Sequence, residues 1–568
     1  MLAVMALEAA GALGTSDQPM REVDAGEILA KVEAGQPVEY DHVVVRGDLD
    51  LSWDRLQKNI TSPIRINDSI FNGIVSFNSS ILEMSVNLSG SNFTRDVFFR
   101  RANFSYYALF WDAAFNDYAD FNGGTFRGDT IFDGAAFNGE ADFDGAAFKS
   151  DTAFEKAIFS GRTAFEEAAF GGIADFDGAA FNSDADFEKA VFSGTTEFSK
   201  ATFNGLASFM WVTFGGDAYF GEATFKGSAH FRRVTFSGNA YFWNAFFGER
   251  ADFWDATFGG EFAFFNGVTF SGYAEFPETT FNGIANFVGG TFRGNAVFQD
   301  ATFSEDAYFV AAAFICDSNF IYTEFNGNIE FSDARFENET SFYRILFKRP
   351  AYFENCSIES LNLTKAEYSR LHLHWGDIKR LHFDEAAYLA LIKNYYNLGW
   401  YGDANDCYFN YRNAVRENWQ SASSLGFAVR LSSLLDRVID FGEWLLYGYG
   451  VRPSFPIAWS AAIILAFGLF FRQKRCLRKI ITEERIEDAG DGSDEVLVQT
   501  KARKAPLNSI DPFLFSLFTF TSGFTAFLHP AVEYKLERCL RWAIAERLLG
   551  PFLLALVITT ISKTYLIR

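Results

Sequence analysis

Few residues in this sequence have types and spacings that could do chemistry. His372 and His374 would share one face of a strand, a geometry open to a metal ion, and His382 follows in the same stretch. No carboxylate or thiol completes a ligand spacing around them, so all three read as surface histidines. Cys316, Cys356, Cys407, Cys476 and Cys539 are odd in number, widely spaced and form no CxxC. That pattern supports neither a disulfide framework nor a thiolate metal site and reads as buried thiols. No Ser, His or Cys constellation resembles an activated nucleophile, so no enzyme, cofactor or metal is expected. Two Gly-containing strings, Gly448-Tyr449-Gly450 and Thr521-Ser522-Gly523-Phe524-Thr525, lie beside long apolar stretches.

The elements that must position such groups begin with a charge asymmetry. The 568 residues carry a formal charge of −23, yet residues 451–568 hold 16 basic and 11 acidic residues, a net of +5, which leaves −28 on the first 450. The long acidic part would repel nucleic acid and anionic lipid, and the C-terminal part is chemically distinct. MLAVMALEAAGALG is apolar but has no basic flank and contains Glu8, which makes a poor signal peptide. From Met20 a more polar stretch begins, and residues 1–65 read as an N-terminal extension and a solenoid cap.

Sixty-nine Phe is too many for an ordinary core, and their spacing explains them. Phe137, Phe143, Phe148, Phe154, Phe159 and Phe165 open a run to Phe242 in which the steps alternate six and five without a miss. The period is therefore 11, and the ladder extends outward to Ile66 and Ile358. Ala or Thr stands two residues before many rungs (Ala141, Ala146, Thr152, Ala157). An 11-residue period also suits a right-handed helical supercoil, but the units are rich in Gly, Asn, Asp, Thr and Phe, poor helix formers. A β-solenoid fits: one large and one small inward residue per short face, with Gly and Asn at the corners.

These A-D-F-x-x and A-x-F-x-G-x units resemble the pentapeptide-repeat family over residues 66–358. The resemblance implies an all-β right-handed quadrilateral β-helix. Alternating five- and six-residue faces give about 22 residues per coil, hence about 13 coils and a rod of about 60 Å. A core filled with rings leaves no pocket, so a spacer or interaction surface with an unknown protein partner is expected. Some members of that family imitate DNA, and the acidity is compatible with this alternative.

Residues 359–453 read as a helical connector. Tyr388, Leu389, Leu391, Ile392 and Tyr395 would share a helical face behind Asp384 as cap, Gly399 and Gly402 break the chain, and Ala404–Val415 forms a second helix. The rhythm is similar to one tetratricopeptide-type hairpin. LGFAVRLSSLLDRVIDFGEWLLYGYG has the pattern of an amphipathic helix at a membrane surface, and its Gly448-Tyr449-Gly450 reads as a juxtamembrane turn.

Residues 454–568 contain three apolar stretches. Phe455–Phe471 is 17 residues without a charge, about 25 Å as a helix and the lower limit for a span. Arg472, Lys474, Arg475, Arg478 and Lys479 follow, then an acidic stretch read as a solvated loop. The second run, Pro512–Leu528, is interrupted by Ser-Gly; the third is Leu548–Ile561. This order resembles the two-transmembrane potassium-channel-type pore domain, with SLFTFTSGFT as pore helix and filter. The resemblance places the family's T-V-G-Y-G on Thr521, Ser522, Gly523, Phe524 and Thr525. Thr521 and Gly523 match, whereas Ser522, Phe524 and Thr525 depart from it. It implies a multi-pass cell-membrane protein in a lipid bilayer, a homotetramer, a monovalent cation and no nucleic acid, with the β-helix in the cytoplasm. That orientation puts the five basic residues at 472–479 outside, against the positive-inside rule.

Overall fold

The computed structural model describes residues 20–418, 427–487, 497–522, 532–536 and 538–566. They divide into two units, Met1–Asp384 and Glu385–Arg568.

In the first unit the Phe ladder becomes a parallel β-solenoid. One coil contributes four two-residue strands, Ala136–Phe137, Ala141–Asp142, Ala147–Phe148 and Thr152–Ala153. Each pairs in parallel with the strand 22 residues on, as in Ala136↔Ile158 and Thr152↔Ala174. Each face turns one small and one large residue inward, so Ala141 and Phe143, or Thr152 and Phe154, are buried while Asp142 and Ala153 are partly exposed. Successive coils stack their rings: Phe137 lies 4.8 Å from Phe159 and Phe154 lies 4.9 Å from Phe176, nearly parallel. Rings on opposite faces of the coil meet edge to face, as Phe143 and Phe154 do at 5.5 Å and 87°. Both geometries suit the aromatic quadrupole, so the core is a continuous lattice of favourable ring pairs.

The solenoid is longer than the Phe ladder. One face has 16 strands, from Val38–Asp41 to Leu371–His372, so there are about sixteen coils, or about 75 Å of rise. Coiling starts inside the expected cap, where Arg21–Asp24 pairs with Val43–Arg46. The end coils are filled by Val43, Val45, Ile64, Leu371 and Leu373 rather than Phe, which is why counting Phe misses them. Helix α1 (Ala25–Glu33), capped by Asp24 through the Gly26 N–H, lays Ile28 and Val32 over the first coil. One coil holds an extra residue, pairing Ala240 with Ala263.

Glycine serves two different needs at the corners. At the six-residue corner a Cβ on Gly161 would lie 2.4 Å from the carbonyl oxygen of Gly139 one coil below, so no side chain fits. At the five-residue corner the need is conformational. Gly145 has φ 61°, and Lys156, Glu167 and Lys189 hold the same left-handed region at 56–59°, each costing roughly 1 kcal/mol that the surrounding lattice offsets.

The acidic surface has a structural use. Asp151, Asp184, Asp217 and Asp306 each accept the backbone N–H of a residue one coil on, at 2.8–2.9 Å. Such carboxylates close the corner where a regular ladder bond is missing. Burial, with neighbouring carboxylates on adjacent coils, raises Asp120, Asp133, Asp175 and Glu197 and pushes Asp144 up to about 6. A folded-state pKa above the unfolded value means the folded rod binds protons more tightly. The contribution of Asp144 is fully present below about pH 4 and is lost as pH rises through about 6. We therefore expect the melting temperature of the solenoid to rise as pH falls from 7.5 to 5, despite the opposing effects of His230 and His372, which burial lowers. Circular dichroism melts across that range check this; a melting temperature that falls contradicts it.

In the second unit the expected helical hairpin is present as α2 (Glu385–Leu398) and α3 (Tyr401–Asn418). Gly402 lies inside α3 rather than breaking the chain, and Leu389 is exposed, so the buried face of α2 is Tyr388, Leu391, Ile392 and Tyr395. Helix α4 (Phe427–Tyr447) runs into a tight turn at Gly448–Gly450 and then α5 (Ser454–Lys474). Of the acidic stretch expected as a solvated loop, residues 483–487 instead belong to a strand and residues 488–495 lie outside the described residues; the strand is the central one, β1 (Leu477–Glu487), of an antiparallel sheet with β2 (Leu497–Ala505) and β3 (Val532–Leu536). Between β2 and β3 lies the short helix α6 (Asp511–Thr521). Helix α7 (Leu540–Ile561) starts eight residues before the expected Leu548 and carries Arg541, Glu546 and Arg547.

Candidate functional site

The site is organised around α6, 11 residues long and apolar except for Asp511 and its hydroxyls. Too short to cross a bilayer, it is held between α5 and α7, the two described helices long and apolar enough to do so. Three contacts fix it at three heights.

At its N-terminus Asp511, 2% exposed, accepts the Asn508 N–H at 2.6 Å, the Lys479 ammonium at 3.0 Å and the Tyr534 hydroxyl at 3.0 Å. Burial alone would raise this carboxyl; the three donors outweigh it and hold it below its ordinary value. Burial and the Asp511 charge push the Tyr534 phenol up to about 12. A carboxylate also suits the positive end of a helix dipole. This node joins α6 to β1 and β3.

In the middle, the Ser516 hydroxyl reaches the Ile464 carbonyl of α5 at 2.8 Å and the Glu546 carboxyl of α7. Glu546 is fully buried, and its second oxygen has no hydrogen-bond partner among the described residues. Near the C-terminal end of α6, Gly550 lets α7 close against the backbone: a Cβ there would lie 1.9 Å from the Phe520 carbonyl oxygen. Gly468 of α5 similarly receives the Phe513 ring.

Thr521 ends α6 and Ser522 is its C-cap, their hydroxyls turned back onto the Leu517 and Thr519 carbonyls at 2.8 Å. Gly523, Phe524 and Thr525 lie outside the described residues. The negative end of the α6 dipole stands at the start of that segment, an arrangement that favours a cation beyond it. An open cavity of about 640 Å³ lies between α6, α7 and β3, with Phe515, Phe518, Ser522, Ile544 and Arg547 on its walls.

The other carbonyl-bearing string has a different fate. Tyr449 is 3% exposed with φ 54°; its hydroxyl donates to Asp440 at 2.9 Å and the Arg412 guanidinium covers its ring at 4.5 Å. Arg412 also pairs with Asp440 at 2.7 Å and Glu443 at 3.3 Å. Gly448-Tyr449-Gly450 is therefore a packed turn, as its position before Pro453 suggests. The turn that follows α7 meets the same region, with Lys563 lying 5.3 Å from the Tyr408 ring.

Two of the cysteines depart from the expectation of buried thiols. Cys476 and Cys539 form a disulfide 63 residues apart in sequence, joining the end of α5 to the start of α7 inside a cluster of Phe471, Leu477 and Ala543. The pairing of β1 with β3 brings them together, and no local spacing could have signalled it. Cys316, Cys356 and Cys407 are free thiols; the last two are buried, which raises both, Cys356 to about 12. His372 stacks on Tyr352 at 4.8 Å, and His382 lies 3.6 Å from Glu339.

No curated protein and no solved structure matches this chain. Segments from residue 125 to residue 346 match the family described as pentapeptide repeats (9 copies), and this central part of the solenoid is thereby identified as a pentapeptide-repeat domain.

Proposed function

We propose that residues 454–568 form a cation-conducting pore assembled from four copies of the chain, with the pentapeptide-repeat solenoid as its soluble spacer or sensor domain. The observation that carries this reading is α6 itself: a short apolar helix anchored at three heights between two long apolar ones, its negative end at Thr521-Ser522 where the filter-like segment begins. Only 17% and 22% of the two long helices' apolar windows are buried. A core helix of a soluble protein would be mostly covered, so lipid and neighbouring copies are the natural partners for these surfaces. Backbone carbonyls around one axis replace a cation's water only when several chains supply them, which calls for the homotetramer. Several of the solenoid's carboxylates are engaged by its own backbone, which disfavours DNA imitation.

Reconstitution into planar bilayers tests the reading. Well-inserted protein that passes no current would overturn it and leave a membrane-anchored scaffold. With current present, Ser522→Val with Thr525→Gly restores the resembled filter pattern at two positions. We expect potassium over sodium permeability to rise about tenfold, equivalent to about 1.4 kcal/mol.

A further inference from the structure

The middle anchor of α6 has one hydrogen fewer than its contacts require. The Ser516 oxygen meets two others, the Ile464 carbonyl of α5 at 2.8 Å and Oε1 of Glu546 on α7. A hydroxyl carries one hydrogen, and a carbonyl only accepts. The Ser516 hydrogen is therefore used on Ile464, and the contact with Glu546 needs a hydrogen of its own. An ionised carboxylate has none to give. Only a protonated Glu546, donating to the Ser516 oxygen, satisfies both contacts at once.

The surroundings supply no cation to replace that proton. Glu546 is fully buried, and its Oε2 has no partner among the described residues. Helix α5 is uncharged from Ser454 to Phe471. The one charged residue of α6, Asp511, is already engaged by Lys479 and Tyr534. On α7 itself Arg541 and Arg547 are exposed, as is Lys535 of β3, and Asp440 and Glu443 of α4 are taken by Arg412. A buried carboxylate without a partner costs far more than the neutral acid. We propose that Glu546 is a proton-binding site of the pore, and that losing its proton unfastens α6 and lowers conduction. This rests on the reading of residues 454–568 as a pore.

On release the O–H bond of Glu546 breaks, its electron pair stays on the carboxylate and the proton passes to water. Ala543 and Arg547, on either side of Glu546 in α7, line the open cavity of about 640 Å³, so solvent comes within one turn of the carboxyl. The single hydrogen of Ser516 then serves one neighbour and not the other. Turned to Glu546, it abandons Ile464; kept on Ile464, it leaves two oxygens in repulsion. Either way α6 loses its directional link to one long helix, and Thr521 and Ser522 at its end lose their fixed height. The proton is bound by the anchored state, so the anchor is complete at low pH and is lost as pH rises.

The experiment uses the full chain, in lipid vesicles for infrared spectra and in planar bilayers for current, with the proton as the probe. At neutral pH we expect the parent to show the carbonyl band of a protonated carboxyl that Glu546→Gln lacks. In Ser516→Ala, where the acceptor is gone, the same band should move to higher frequency, so either variant alone assigns it. Absence of the band from the parent overturns the proposal, whatever the current. Between about pH 7 and about pH 10 the parent current should fall about tenfold, and that of Glu546→Gln, whose amide keeps a hydrogen on Ser516, by less than about twofold. An equal fall in both overturns the control of conduction by this proton. No current at any pH, with the band present, sinks the pore and that control together, and leaves the protonated anchor standing.

Discussion

Replacing Phe154 by Ala should destabilise the solenoid by about 3–5 kcal/mol, whereas replacing the exposed Tyr273 by Ala should change it by less than about 0.5 kcal/mol. Phe154 is fully buried and sits in a column between Phe132 at 4.8 Å and Phe176 at 4.9 Å. Edge-to-face contacts to Phe143 and Phe165, at 5.5 and 5.6 Å, tie that column to the facing one. Removing one ring therefore opens a cavity and breaks pairs with both neighbouring coils. A solenoid transmits stability only through nearest-neighbour interfaces, and its close-packed coils are held in register by their ladders, so neither flank collapses to refill the gap. Urea unfolding followed by circular dichroism measures the effect as a lower midpoint with little change in slope. A cost below about 1 kcal/mol would mean that neighbouring rings close the cavity, and that the lattice is softer than its nearly parallel stacking implies.

That stack is also the part of the molecule most legible from sequence, for a physical reason. A narrow core accepts one residue type at every equivalent position, so the spacing of Phe143, Phe154 and Phe165 is enough to announce the coil. The solenoid's ends are harder to see because Val43, Ile64, Leu371 and Leu373 do the same work in coils that must also meet a cap or a chain exit. Gly161 and Gly145 look alike in sequence, yet one answers a steric approach and the other a backbone angle. Only the path of the neighbouring coil separates them.

In the second unit, legibility falls off where partners are distant and charges interrupt apolar runs. The apolar run of α5 is plain, but Arg541, Glu546 and Arg547 conceal the first turns of α7. LRKIITEERIE is dense in charge and still forms the central strand β1. Its pairing with β3, more than fifty residues later, carries the chain between Cys476 and Cys539 into bonding distance. The filter-like string stands out by its resemblance. The three anchors of α6 at Asp511, Ser516 and Gly550 do not, since each depends on a residue from another helix or strand.

Ser516→Ala is the change with the largest expected effect on the pore region. It removes the hydroxyl shared by the Ile464 carbonyl and the Glu546 carboxyl, leaving Glu546 buried with no partner for either oxygen among the described residues. Stranding a buried carboxyl costs about 3 kcal/mol or more. Glu546→Leu alone should cost less, because Ser516 keeps the Ile464 carbonyl. Combining Ser516→Ala with Glu546→Leu removes both polar partners and should recover most of the lost stability, a coupling of at least about 1 kcal/mol. Thermal unfolding of the protein in detergent measures all three, and additive effects would show that the contact is not energetically shared. Conductance then separates packing from positioning. If the node only fills space, the double variant regains wild-type selectivity together with its stability. If the node sets the height of α6, and so the place of Thr521 and Ser522 at its end, the double variant is stable but its reversal potential moves toward the non-selective value. We expect the second result, because apolar packing can restore contact area but not the directional link from α7 through Ser516 to α5.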